Sequence, residues 1–387
     1  KLRMKDLAFV IYTVLLAILA GDNTWYFFVS SFPLSCNKLA CTPALYRGRV
    51  PRAGIAMGVG GPESFTTLPE GISVYERSLS KVVDVQGTIR SLANGALREA
   101  VSDGLKLMEI EFPPLLGGDK SKTQFDDFDN IQELDRNKDW AIQFAPTISK
   151  DSLNGEADRS KLWLVFPDLK ECEIARKEWV GARYQEATYT TIEEATNYLG
   201  SSDNGSSYDA PWGANLVGSL SKLIGGKKGD AGLLGDQSAV DSLIGLPVLN
   251  LVVQPGNGGP VEDWVNCEKI WNSSPSANMV IINGALDKLR GGYYPAVFFP
   301  KLAASVDRFF KKFESVFYLK PLCDKGAYGW LYRVYPEPWQ IILQFPNTDD
   351  KDKMSVENVV VSVSETRPDY NEAIAILVKA DAELSSS

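Results

Sequence analysis

Seven short apolar runs, at 105–112, 162–166, 246–253, 278–282, 315–319, 329–335 and 340–345, constrain this chain more than any other feature. Each is of strand length, and helical patterns at 169–180, 261–271 and 301–313 fall between several of them. A strand followed by a crossover helix and another strand builds parallel neighbours covered on both faces. The last three runs have no helix between them and read as antiparallel. The expected fold is therefore α/β, a mostly parallel, Rossmann-like three-layer sheet with an antiparallel C-terminal extension. A helix at 78–104 precedes the first strand, with Val82, Val83, Ile89, Leu92, Leu97 and Val101 on one broad face and Gly104 at its stop.

Around this pattern the chain divides into a leader at 1–53, a linker at 54–77, one α/β domain at 78–345 and a tail at 346–387. Two segments break the domain's rhythm. Residues 117–138 are acidic, with Asp126, Asp127 and Asp129, and read as an insertion that continues as a short helix through Ile131 and Leu134. Residues 200–232 are rich in Gly and Ser and read as a surface insertion, with a partner-docking helix carrying Leu216, Leu220, Leu223 and Ile224 as the alternative. The tail contains a strand-like run at 356–363 and a helix at 369–384.

The leader reads as an address. An apolar run at 7–20 follows Lys1, Arg3 and Lys5, and beyond Asp22 no acidic residue occurs until Glu63. A signal-like run leading into a hydroxylated, basic, acid-poor stretch, with Phe32 at the junction, resembles a bipartite plastid presequence that is removed. A single membrane anchor over 7–29 is the alternative, and Met4 is an expected start. Residues 1–53 carry seven basic and two acidic side chains, so a net charge of −9 overall leaves −14 on the rest. Such a body is repelled by nucleic acid phosphates and anionic lipid, so no nucleic acid partner is expected and at most peripheral membrane association.

Composition excludes much chemistry. With no histidine, the chain lacks every imidazole base, shuttle and metal ligand, so Ser-His-Asp and Cys-His catalysis are out. The cysteines, Cys36, Cys41, Cys172, Cys267 and Cys323, form no CxxC pair. The three beyond the leader are expected to be free and buried. A carboxylate-held magnesium is compatible with the composition, but no metal or cofactor is expected.

Candidate site residues lie where ligands bind in open α/β sheets, beyond the carboxyl ends of the strands. Those ends read Phe112-Pro-Pro, Phe166-Pro-Asp, Gln254-Pro-Gly and Asn283-Gly. Gly256, Gly258 and Gly259 form a candidate anion loop, for which a turn at a helix start is the simpler reading. Glu109 and Glu111 alternate onto one face of the first strand, expected to be solvated rather than an acid/base pair. Asn283, Asp287, Arg290, Tyr294, Arg333 and Trp339 make a candidate ligand or partner surface. In it Gly284 turns the chain, Asp287 stands three residues from Arg290 at ion-pair spacing, and Gly291-Gly292 ends the helical turn. Arg333 and Tyr335 alternate onto one strand face. The two arginines among tyrosines either grip an anion or form structural ion pairs and stacked aromatics sealing a sheet edge.

Several stretches together carry a resemblance. Leu107-Met-Glu-Ile-Glu-Phe-Pro-Pro114, Val165-Phe-Pro-Asp168, Ile282-Asn-Gly-Ala-Leu-Asp-Lys-Leu-Arg290, Gly292-Tyr-Tyr-Pro295 and Tyr335-Pro-Glu-Pro-Trp-Gln340 are similar to a plastid and cyanobacterial domain of unknown function. That family includes the low photosystem II accumulation (LPA-type) assembly factor. The similarity runs from about Ser78 to Phe345 and brings no catalytic residues with it. It implies a plastid location, in the stroma or on the stromal face of the thylakoid. It also implies a helper role toward photosystem subunits or other assembly factors. The expected function is a non-catalytic photosystem assembly factor working through protein contacts, and the alternative is a Rossmann-like binder of, or enzyme on, an anionic or phosphorylated small molecule.

Overall fold

A computed structural model describes residues 65–74, 85–113, 130–201, 246–256, 261–347 and 355–386. All lie in one unit, Pro51–Ser387. The leader, 117–129, 202–232, Gly258 and Gly259 fall outside the described residues, as do the anchor and docking-helix alternatives.

The chain runs α1 (Val85–Ser102), β1 (Leu107–Glu111), α2 (Asn130–Phe144), β2 (Leu162–Phe166), α3 (Leu169–Glu178), β3 (Thr188–Thr191) and α4 (Ile192–Ser201). It continues through β4 (Leu249–Val253), α5 (Glu262–Ser273), β5 (Asn278–Ile282), α6 (Leu286–Arg290) and α7 (Pro300–Arg308). It closes with β6 (Glu314–Asp324), β7 (Ala327–Val334), β8 (Trp339–Asn347), β9 (Ser355–Ser364) and α8 (Tyr370–Ser386). The nine strands form one sheet in the order β3-β2-β4-β5-β1-β6-β7-β8-β9. Pairings from β3 to β6 are parallel and those from β6 to β9 antiparallel. The fold is thus the expected mixed α/β sheet with an antiparallel C-terminal extension.

Strand alternation sorts side chains into two layers. Met108, Ile110 and Phe112 of β1 join Leu162, Leu164, Leu251 and Ile282 against α1, α2 and α3. Leu107 joins Trp163, Val252, Met279 and Ile281 against α4, α5, α6 and α7. Under the antiparallel strands a third cluster, including Tyr318, Leu331, Trp339 and Ile341, is closed by Ala373 and Leu377 of α8. β2, β4 and β5 are buried along their whole length, which is why they read as mainly apolar runs, interrupted only by Asn250 and Asn278.

Several expectations shift. The short helix expected through Ile131 and Leu134 is longer than its pattern suggested: it is α2, a full layer helix with Asn137 and Lys138 buried. The part of the linker at 65–74 is bound to the sheet: Leu68 and Ile72 are in the core, and the Val74 N–H donates to Gln344 Oε1 at 2.8 Å. The tail carries the strand and helix expected of it, and β9 completes the sheet while α8 covers it. Cys172 and Cys267 are buried free thiols, but Cys323 is exposed because it faces outward beside the β6–β7 hairpin.

Candidate functional site

β1 and β5 are neighbours whose following helices depart to opposite faces, α2 to one and α6 to the other, and this divergence marks the position beyond their carboxyl ends where open α/β sheets place a ligand crevice. Its floor is a chain of amides. Asn283 Oδ1 accepts from the Phe112 N–H at 2.8 Å, Asn283 Nδ2 donates to Asn137 Oδ1 at 2.8 Å, and Asn137 Nδ2 donates to Gln254 Oε1 at 2.6 Å. All three side chains are buried, so each bond replaces water that cannot reach them.

The backbone here is held in an unusual form. Gln254, Asn283 and Ala285 have φ of 44°, 49° and 48°, left-handed values that non-glycine residues seldom adopt. The turn is therefore made by the residues flanking Gly284. Gly284 is needed for space, since a Cβ there would lie 2.4 Å from Ile281 Cγ2. Gly256 is left-handed too, and a Cβ on it would lie 2.1 Å from Trp264 Nε1, so an indole fills the space beside this member of the expected anion loop.

On the opposite face of β1 lies a cluster of charges. Glu109 is wholly buried, not solvated as expected: Arg290 Nη1 donates to Glu109 Oε2 at 2.8 Å, Ser315 Oγ donates to the same oxygen at 2.9 Å, and Arg367 lies 3.5 Å away. Glu109 Oε1 is buried without a hydrogen-bond partner. Arg290 also donates to the Phe313 carbonyl at 2.9 Å. Asp287 pairs with Arg367, with Lys320 at 2.8 Å and with the Tyr318 hydroxyl at 2.5 Å. The local Asp287–Arg290 pair suggested by their spacing does not form, because buried tertiary partners outcompete an exposed one-turn contact.

Arg333 pairs with Glu314, donates to the Glu337 carbonyl at 3.0 Å, and lies 5.2 Å from the Trp339 ring centroid. Arg367 covers the Tyr318 ring at 4.4 Å and the Trp339 ring at 5.1 Å. Tyr335 sits just past β7, 5.6 Å from Arg333, with its hydroxyl donating to Asp103 of the α1–β1 connection at 2.7 Å. Ion pairs and stacked aromatics at the sheet, the structural alternative, thus describe Arg290, Arg333 and Trp339. Tyr294 stands apart, packed edge-on against Phe299, and the adjoining Tyr293, Val297 and Phe298 are exposed.

Two carboxyls titrate near neutrality in a chain that has no imidazole. Burial, then the charges of Glu109 and Asp287, push Glu111 up to about 8, against the pull of Lys320 and of the Ala285 N–H, which donates to Glu111 Oε2 at 3.1 Å. Burial, then Glu262, raises Asp263 at the start of α5 to about 6. Asp287 goes the other way: burial opposes its charge, but Arg367 and Lys320 outweigh burial and hold it below the usual carboxylate range.

Sequence reasoning placed Asn283, Asp287, Arg290, Arg333 and Trp339 at one end of the sheet. It missed Asn137, Gln254 as an amide partner, Asp263, Lys320 and Arg367. Arg367 lies two residues before Asp369, which caps α8 by accepting from the Glu372 N–H at 2.8 Å. Among the described residues no group of three or more Cys, Asp or Glu is placed to hold a metal ion, and no helix is long and apolar enough to cross a membrane.

A parallel sheet with an amide-floored crevice, and a charge cluster closed by its own counterions, defines an α/β domain of the doubly wound kind with an antiparallel flank. The chain belongs to the family described as a domain of unknown function, DUF1995, whose profile matches residues 88–374. The match runs beyond Phe345 through β9 and Arg367 into α8, so the charge cluster lies inside the family domain. No curated protein and no solved structure matches the chain.

Proposed function

We propose that this protein is a plastid auxiliary factor of the LPA-type branch, supporting photosystem assembly or accumulation through protein contacts rather than catalysis. The observation that carries this reading is the loop after α6. It displays Tyr293 of the family-like Gly292-Tyr-Tyr-Pro295 stretch and, just beyond that stretch, Val297 at 86 % exposure and Phe298 at 68 %. Apolar side chains grouped on one loop suit an apolar protein partner. The arginines expected to grip an anion are instead matched by Glu109 and Glu314, which supports a structural role for them. The leader and the family resemblance support the plastid and the photosystem subunits as its setting. Depleting the protein and quantifying both photosystems on native gels tests this, with lowered accumulation of one expected. Unchanged accumulation of both overturns it. Val297→Asp with Phe298→Asp should abolish co-purification of the partner without altering the melting temperature.

A second reading is favoured by Glu111, which holds a proton at neutral pH beside left-handed backbone at the strand ends. In it the crevice binds a small molecule by donating from that carboxyl. Thermal-shift screening of metabolites addresses it, and stabilisation lost in Glu111→Ala is the expected result. No stabilisation by any metabolite sinks it.

A further inference from the structure

At the opposite end of the parallel strands from the crevice lies a cavity of about 380 Å³, lined by Arg90, Gln143, Thr147, Arg159, Arg183 and Glu186, with Pro146 at its side. It is built from parts that precede or follow the strands. Arg90 comes from α1, Gln143 from the last turn of α2, Arg159 from the 3-10 turn before β2, and Arg183 from the one before β3.

Three guanidiniums face one carboxylate in a chain whose net charge is −9, so this pocket reverses the sign of the molecule around it. One of these guanidiniums, that of Arg159, is fixed in place. Arg159 is held on two sides of its plane: Nη1 donates to the Ile148 carbonyl at 3.0 Å, Nη2 to the Ala145 carbonyl at 2.5 Å, and Nε lies 3.0 Å from Glu186 Oε2. A guanidinium has five N–H donors, so two remain on Arg159 after these contacts. Arg183 stacks on the Tyr184 ring at 4.5 Å and bonds its hydroxyl, and among the described residues no carboxylate lies within ion-pair distance of it. Thr147 is anchored from α1, where Asn94 Nδ2 donates to its carbonyl at 2.7 Å.

We propose that this cavity binds a compact polyanion of metabolite size, a phosphate ester or a polycarboxylate, in the fork of Arg159 and Arg183 with Arg90 as the third cation. Planar guanidiniums match the paired oxygens of both anion types, and the prior orientation of Arg159 lowers the entropy lost on binding. The volume falls in the range of small-molecule sites. The binding is electrostatic in origin and weakens with ionic strength.

Isothermal titration of the full chain at low salt with pyrophosphate and with citrate tests this, the two arms separating phosphate from carboxylate recognition. Saturable binding of at least one is expected, accompanied by a rise in melting temperature. Arg183 is exposed and bonds no backbone, so Arg183→Gln should weaken binding about tenfold while leaving the ligand-free melting temperature unchanged. Lys177→Gln, on the exposed face of α3, should change neither. No saturable binding of either anion, or equal affinity in Arg183→Gln, overturns the proposal.

Discussion

Arg290 on α6 reaches Glu109 on β1 across 2.8 Å and 181 residues of sequence. The contact joins the middle of the sheet to the helix that follows its neighbouring strand, with Glu109 fully buried and Arg290 partly exposed. Removing the cation leaves a buried carboxylate with only Arg367 and Ser315. Arg290→Ala should therefore lower stability by about 3 kcal/mol in urea unfolding. Combining it with Arg367→Ala should cost more than the two separate losses, because both serve the same carboxylate.

Glu111 makes stability depend on pH. Its folded value of about 8 lies above that of the unfolded chain, so between the ordinary carboxylate range and about 8 the folded state binds more protons. Stability contributed by this group therefore falls as pH rises through that window. Glu111→Gln keeps an acceptor for the Ala285 N–H and removes the proton. The variant should lose much of the fall between pH 5 and pH 8 seen in wild-type denaturation curves, leaving the smaller fall due to Asp263 below about 6.

Asn283 combines a side-chain link with left-handed backbone. Asn283→Ala strands the Phe112 N–H and Asn137 Oδ1, and places a Cβ residue at a φ of 49° that favours neither. A loss of about 2–4 kcal/mol is expected. Asn283→Gly loses the same bonds but relieves the backbone, so it should be less destabilised by about 1 kcal/mol. Equal losses in guanidinium melts would show that the backbone is unstrained.

Gly329 lies where β7 passes β8 beneath α8. A Cβ there would meet the Ile342 carbonyl at 2.1 Å and Leu377 Cδ1 at 2.7 Å. Gly329→Ala should cost about 1–3 kcal/mol by overpacking. Hydrogen exchange should accelerate in β8 and α8 while β2 and β4 keep their protection.

What could be read from the sequence followed from local physics. Largely apolar runs bounded by turn residues announced β1, β2, β4 and β5, because strands covered on both faces carry mostly apolar side chains, with Glu109, Asn250 and Asn278 as buried polar exceptions. β3 escaped notice: Thr188-Tyr-Thr-Thr191 is a short edge strand of hydroxylated residues, and α4 follows it without a gap. The alternation of Glu109 and Glu111 was legible, but the cations that bury them were not. Arg367 meets Asp287 from 80 residues away, and no spacing rule reaches that far. Asp287 and Arg290 mislead for the same reason, since their helical spacing is real and their partners are tertiary.

The placement of Arg367 between β9 and α8 has a consequence for the order in which this protein can be made. The strand at the centre of the sheet leaves the ribosome first, and one of its counterions arrives only after every other strand has been synthesised. A nascent chain therefore holds Glu109 and Asp287 short of one cation until the last strand is through.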